Sequence, residues 1–186
     1  QFSLPLSDIS SSQSPGEQLR ALLTQDLDFH NQNGSYASHN FHSFPAKFPP
    51  QLPRHFIESL TKPGDIVLDP MQGSGTTTLE AMLAGRQAIG TDIDPLALLI
   101  ASVKTTPLEP LHVLQVSKNI LRQAIVANHE RPKPLLLALE SRWDKKTREF
   151  IQYWFDTDAQ IALMALILEI KKIDEPALRN FFKLAL

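Results

Sequence analysis

Nine residues constrain this chain more than any others: Asp69-Pro70-Met71-Gln72-Gly73-Ser74-Gly75-Thr76-Thr77. They follow a short run of branched apolar residues, Ile66-Val67-Leu68, and precede a helix-forming stretch from Thr76 to Ala84 that Gly85 stops. The apolar run reads as a fully buried, parallel strand. Glycines directly after a strand let a ligand come close to the backbone. The helix behind them offers N–H groups with no partner inside the helix. Asp69 sets a carboxylate at the strand's tip, aimed into the same crevice. That charge repels a phosphate and attracts a cationic amine, so the pattern favours a ligand that carries an amino acid. Both phosphate-binding readings fail by inspection. No Lys follows Gly75, and the third glycine of a dinucleotide fingerprint is replaced by Thr78. A glycine turn with no ligand is the bland alternative.

A second segment continues the pattern. Gln87 to Ile93 reads as another strand, and Gly90-Thr91-Asp92-Ile93-Asp94-Pro95 closes it. In an open α/β sheet the ligand crevice lies at the carboxyl ends of the strands. Asp92 there can accept hydrogen bonds from both hydroxyls of a ribose, and Ile93 can pack on a flat base. Asp94, just before the Pro95 helix, reads as its N-cap. Strand, glycine loop, helix, strand and helix in this order make a βαβ unit. Upstream, Phe44-Pro45-Ala46-Lys47-Phe48-Pro49-Pro50 lies in a proline-rich strip from Phe41 to Pro53, expected to be extended because proline fixes φ and biases its predecessor. Such a strip can wall a pocket, and Lys47 can meet a carboxylate; a solvated lysine is the plainer reading.

At 186 residues the chain has room for one domain of ordinary size and too little for two. Its 42% apolar and 20% charged content permits a real core, and a net charge of −2 argues against a wholly basic surface. The absence of cysteine excludes disulfide scaffolds, cysteine–zinc sites and cysteine nucleophiles. Ile161 to Ile170, interrupted by Glu169, is too short to span a bilayer, and the start lacks the charged and apolar regions of a signal peptide. There is no initial Met, and the chain closes on the apolar run Phe181 to Leu186, so both ends read as cuts through something longer.

The segmentation expected is an arm and short helix over residues 1–40, a Rossmann-like ligand-binding part over 41–107, and a helical region over 108–186. Residues 1 to about 16 are Ser/Gln/Pro-rich and read as loose, with a helix from Glu17 to about Asp28. Arg54 to Leu60 reads as a helix. Leu79, Met82 and Leu83 are expected to face inward from the helix after the loop. Beyond Pro107, Val113, Val116, Ile120, Ala124 and Ala127 form one helical stripe. Leu135 to Leu139 fits helix or strand, Thr147 to Trp154 looks helical, and Thr157 to Gln160 fits a capping box opening a helix to Lys172. Pro176 starts a last helix.

Together these residues resemble S-adenosylmethionine-dependent DNA amino-methyltransferases, which act on adenine N6 or cytosine N4. DPMQGSGTT resembles that family's first motif, with Met71 in place of the usual Phe; GTDIDP resembles the second; FPAKFPP resembles the motif that precedes the first in one subgroup. The resemblance covers Phe41 to Pro107 and implies an α/β, Rossmann-like methyltransferase sheet, incomplete in this chain. It implies S-adenosylmethionine as cofactor, held by Phe44, Pro45, Ala46, Lys47, Phe48, Asp69, Pro70, Met71, Gly73, Ser74, Gly75, Thr76, Thr77, Asp92 and Ile93. Asp69 would lie near its amino group, Asp92 on its ribose, and Phe44 to Phe48 over its methionine end. The substrate implied is double-stranded DNA with a flipped base, in a prokaryotic cytoplasmic restriction–modification or orphan setting without a membrane partner.

The family's catalytic tetrapeptide, Asp/Asn/Ser-Pro-Pro-aromatic, is missing: Pro49-Pro50 is followed by Gln51. No catalytic residue is therefore expected among these residues, and the chain reads as the cofactor-binding portion, its partners being the missing catalytic part or a cognate restriction endonuclease. A tRNA guanine-N2 methyltransferase and a non-catalytic cofactor-binding subunit are the competing readings. Arg142, Lys145, Lys146 and Arg148 near Trp143 and Trp154 can contact DNA phosphates, though a solvated helix face suits them better. Phe150, Tyr153 and Trp154 read as core. The histidines 30, 39, 42, 55, 112 and 129 show no zinc spacing, and His39 and His42 are expected to line the strip.

Overall fold

The computed structural model describes residues 14–29, 31–45 and 47–186; the loose arm expected at the start falls, through residue 13, outside the described residues, as do His30 and Ala46. Against the single domain suggested by length, contacts divide the chain into two compact units, one ending at Thr105 and one spanning Thr106–Leu186.

The first unit opens with α1 (Pro15–Leu23), two residues earlier than expected. Pro15 fits the first helical position, where its missing N–H has no partner to lose, and Ser14 and Glu17 close a capping box. The helix stops before Asp28 because the Thr24 N–H and hydroxyl both turn back to Ala21 O. Helix α2 (Gln51–Leu60) also starts early, taking Pro53 into its first turn, where proline is tolerated. The strip is therefore non-helical only as far as Pro50.

Strand β1 (Ile66–Asp69), helix α3 (Thr76–Leu83), strand β2 (Gln87–Gly90) and helix α4 (Pro95–Thr105) form the βαβ unit and the helix after it. The strands are parallel and pair Asp69 with Gly90. Gly85, at φ +74°, ends α3 in a Schellman turn: its N–H reaches Met82 O, and Arg86 N–H reaches Ala81 O. Strand β2 is shorter than expected. The backbone leaves the ladder at Thr91, whose N–H reaches Asp69 O and whose carbonyl receives the Gln72 N–H. Asp92 accordingly lies in the loop beyond β2, not at its end.

One face of this sheet, bearing Val67, Asp69, Ala88 and Gly90, is half-buried; a Cβ on Gly90 would strike the Thr78 side chain of α3. On the other face the expectation of full burial fails. Ile66, Leu68 and Ile89 are 61%, 62% and 50% exposed, because among the described residues nothing covers them. Helix α3 departs from expectation too. Leu79 is buried, but Met82 and Leu83 are exposed, and the buried residues of the helix are Thr76, Thr78, Leu79, Glu80 and Ala81.

The second unit is helical: α5 (Pro110–Glu130), α6 (Pro132–Arg142), α7 (Lys145–Trp154), α8 (Thr157–Lys171) and α9 (Pro176–Ala185). Ala124, Leu135, Met164 and Ala165 form its buried cluster, with Ala127, Leu139 and Ile161 packed on it. The expected stripe of α5 is buried at Ile120 and Ala124, and Ala124 and Ala127 meet this core. Helix α8 is capped by Asp156, whose carboxylate accepts the Ala159 N–H at 2.8 Å, rather than by a Thr157 box; Gln160 instead gives its amide to Phe155 O. Helix α7 buries no residue, so Phe150, Tyr153 and Trp154 are exposed and stacked edge-on, not core. Arg142 lies over the Trp143 ring, and Lys145 pairs with Glu149. Among the described residues no helix is long and apolar enough to cross a membrane.

Candidate functional site

The loop between β1 and α3 is drawn tight by its two flanking acids. The Asp69 carboxylate accepts the Met71 N–H at 3.1 Å. Asp92 Oδ2 accepts the Gly73 N–H at 2.8 Å, while its Oδ1 accepts the Asp94 N–H at 2.9 Å. The two carboxylates thus grip one bend, two residues apart. The Asp94 and Gly73 N–H groups hold the Asp92 carboxyl below the ordinary carboxylate range, since each bond favours the charged form. A charged carboxylate with two oxygens has lone pairs left for further donors. Thr91 closes the loop from the other side, its hydroxyl donating to Pro70 O at 2.9 Å.

Both glycines are required by geometry. Gly73 has φ +50°, and a Cβ there would come 3.3 Å from the Phe44 ring. Gly75 has φ +74°, and a Cβ there would lie 2.7 Å from the Ala101 side chain of α4. Gly75 also occupies the N-cap position of α3. Ser74 is buried and its carbonyl receives Lys104 Nζ at 2.8 Å, so a lysine from α4 pins the middle of the loop. Desolvation, then the nearby Lys47 charge, lowers the Lys104 ammonium from the usual 10.5 to about 8.

The strip meets the loop from the N-terminal side. Phe44 stands against Gly73, and Lys47 Nζ donates to His39 O at 3.2 Å. Lys47, Phe48, Pro49 and Gln51 share a hollow of about 320 Å³ with Thr76, the first residue of α3. Pro45 is exposed in a turn; Ala46 lies outside the described residues. Met71 and Ile93 stand in the open, Ile93 fully so at 103%, which leaves an apolar surface beside Asp92. Thr77 is half-buried on α3. Asp94 caps α4 through the Leu96 N–H at 2.8 Å. Of the fifteen positions singled out, Phe44, Asp69, Gly73 and Asp92 are joined at one bend, and Lys47 and Phe48 reach the hollow at Thr76. Among the described residues no group of three His, Asp or Glu is placed to hold a metal.

One cluster escaped the sequence. Glu80 is wholly buried in α3, where Tyr36 and His39 both donate to its Oε1, at 2.8 and 2.6 Å. The available signal was an acid in the apolar run Leu79 to Leu83 with no basic residue within a turn of it.

A family model described as DNA methylase, the N6/N4 methyltransferase family, matches residues 12–102. The chain is 32% identical to the type II methyltransferase M.MvaI of Kocuria varians over 87% of its own length and 35% of that protein. It is 46% identical to the type II methyltransferase M.MjaII of Methanocaldococcus jannaschii over 36% of the chain and 12% of that protein. Against the orphan methyltransferase M.BamHII of Bacillus amyloliquefaciens the identity is 51% over 26% of the chain and 18% of the relative. The chain therefore spans about a third of the length of M.MvaI and less of the others. No solved structure matches it.

Proposed function

We propose that this chain, whose residues 12–102 match the N6/N4 DNA methylase family model, is the cofactor-binding portion of an S-adenosylmethionine-dependent enzyme that methylates an exocyclic amine of DNA. The observation that carries the reading is the pair of carboxylates, Asp69 and Asp92, bonded to one bend at Met71 and Gly73. The cradle fits the group. The glycine at 73 leaves clear a space that a Cβ would narrow against Phe44, an acid stands on each flank, and Ile93 offers a bare apolar surface. In this reading Asp69 draws the cationic amine, Asp92 takes the ribose hydroxyls, Ile93 packs on the adenine, and Phe44 to Phe48 close over the methionine end.

When bound, S-adenosylmethionine supplies a methyl group on a sulfonium, already activated for transfer. The task left to the protein is alignment, which can contribute roughly 7–11 kcal/mol. The acceptor amine is a poor nucleophile because its lone pair is delocalised into the base ring. Its base sits inside the duplex, and flipping it out costs on the order of a few kcal/mol. The family's Asp/Asn/Ser-Pro-Pro-aromatic motif, which would hold the amine, is not among these 186 residues. It comes, in this reading, from sequence outside them, on the same polypeptide or a partner. The family match to DNA methylases favours DNA over tRNA as the substrate.

The test is photo-crosslinking with methyl-labelled S-adenosylmethionine, paired with a transfer assay on duplex DNA. Label is expected on the chain and none on the DNA. Transfer at an ordinary enzyme rate by this chain alone refutes the division of labour, and absence of crosslinking refutes the binding role.

A further inference from the structure

Glu80 stands out as a carboxylate with zero exposure whose second oxygen, Oε2, is buried with no hydrogen-bond partner. A desolvated carboxyl in this state is unfavourable unless its donors are held firmly in place. Both donors come from a segment without regular structure, more than forty residues upstream: the Tyr36 hydroxyl and the His39 imidazole, itself 3% exposed. They meet a single oxygen, and the two rings stack edge-on at 5.0 Å. Burial, then the bond to Glu80, pushes the Tyr36 phenol up to about 12, so it remains a donor throughout the neutral range.

The backbone between the donors is strained to achieve this. Ala37 has φ +47°, the left-handed region that a residue with a Cβ enters at a cost. The same short segment is fastened twice more: Ser38 Oγ donates to Lys104 O at 2.7 Å, and His39 O accepts from Lys47 Nζ at 3.2 Å. Lys104 in turn pins Ser74 of the glycine loop. Five residues downstream of His39, Phe44 lies against Gly73. Helix α3 therefore holds both sides of the crevice. Its first turn carries the loop, and its second turn, through Glu80, carries the strip.

We propose that Glu80, with Tyr36 and His39, is a buried latch that sets the Phe44–Phe48 strip over the methionine end of the bound cofactor. These are positioning residues, and the inference rests on the cofactor-binding role proposed above. Releasing the latch lets the strip move while Asp92 and Ile93 keep their places, so it weakens hold on the amino-acid end and spares the adenosine end.

Two probes separate those ends. S-adenosylhomocysteine carries both; methylthioadenosine lacks the amino-acid end. Their dissociation constants are to be measured calorimetrically on the full chain and on Glu80→Ala, His39→Asn, Tyr36→Phe and Glu80→Gln. Loss of one buried hydrogen bond is expected to weaken S-adenosylhomocysteine roughly tenfold in His39→Asn, with methylthioadenosine unchanged. Glu80→Ala is expected to go further in the same direction. Glu80→Gln keeps an acceptor for both donors and is expected to restore the preference. Should Glu80→Ala fail to fold, His39→Asn and Tyr36→Phe decide. If the unaltered chain binds both probes and the variants weaken both equally, or neither, the latch is refuted while the functional reading stands. If the unaltered chain binds neither probe, the functional reading falls and the latch with it.

Discussion

Gly75 is the residue at which two demands coincide, a positive φ and the absence of a side chain. Gly75→Ala is expected to destabilise the first unit by roughly 2–4 kcal/mol in denaturant unfolding, since it combines left-handed strain with overpacking against Ala101. Gly64→Ala, at φ +93° but with open space around it, is expected to lose only about 1–2 kcal/mol. Lys104 gives a pH signature. Its folded value of about 8 lies below the ordinary 10.5, so between those values the unfolded chain binds the additional proton. Stability contributed by this group therefore rises with pH across that window, and the rise is expected to vanish in Lys104→Met followed by thermal unfolding at matched pH. The glycine turn was legible from sequence because a positive φ is a local demand, whereas the bond from Gly73 to Asp92 and the close approach of Gly75 to Ala101 span nineteen residues or more and follow no spacing rule. Glu80 was not, because its partners lie more than forty residues away and no spacing rule links them.

At the scale of elements, periodicity located the helices well and their ends less well. The α5 stripe was readable because its residues lie on one side of the helix, all of them buried or half-buried. The starts of α1 and α2 were misplaced because proline, read as a breaker, sits in the first turn of both. The cap of α8 was misread by one residue. Asp156→Ala is therefore expected to lose about 1 kcal/mol of stability in the second unit and Thr157→Ala close to nothing, measured by thermal unfolding. For α7 the amphipathic pattern was real, but among the described residues nothing buries its aromatic side, and a stripe alone does not say what covers it.

On the scale of the whole molecule, the same limit governs the sheet. Ile66, Leu68 and Ile89 look like a buried strand face in sequence and are bare here, with Met82 and Leu83 of α3 also exposed. An apolar surface of this kind is expected to bind the dye ANS and to promote association. Replacing Leu68 and Ile89 with Thr is expected to reduce the dye fluorescence and raise solubility; unchanged dye binding would mean that the face is covered in solution.

The claim on which the functional reading depends is that Asp69 and Asp92, bracing one glycine bend, hold an adenosyl amino acid. Titration of S-adenosylhomocysteine into the 186-residue chain, followed by heat, tests it most directly. One molecule bound per chain is predicted, with the affinity falling roughly tenfold or more in Asp92→Ala and in Asp69→Ala. No binding, or binding indifferent to both substitutions, would contradict it.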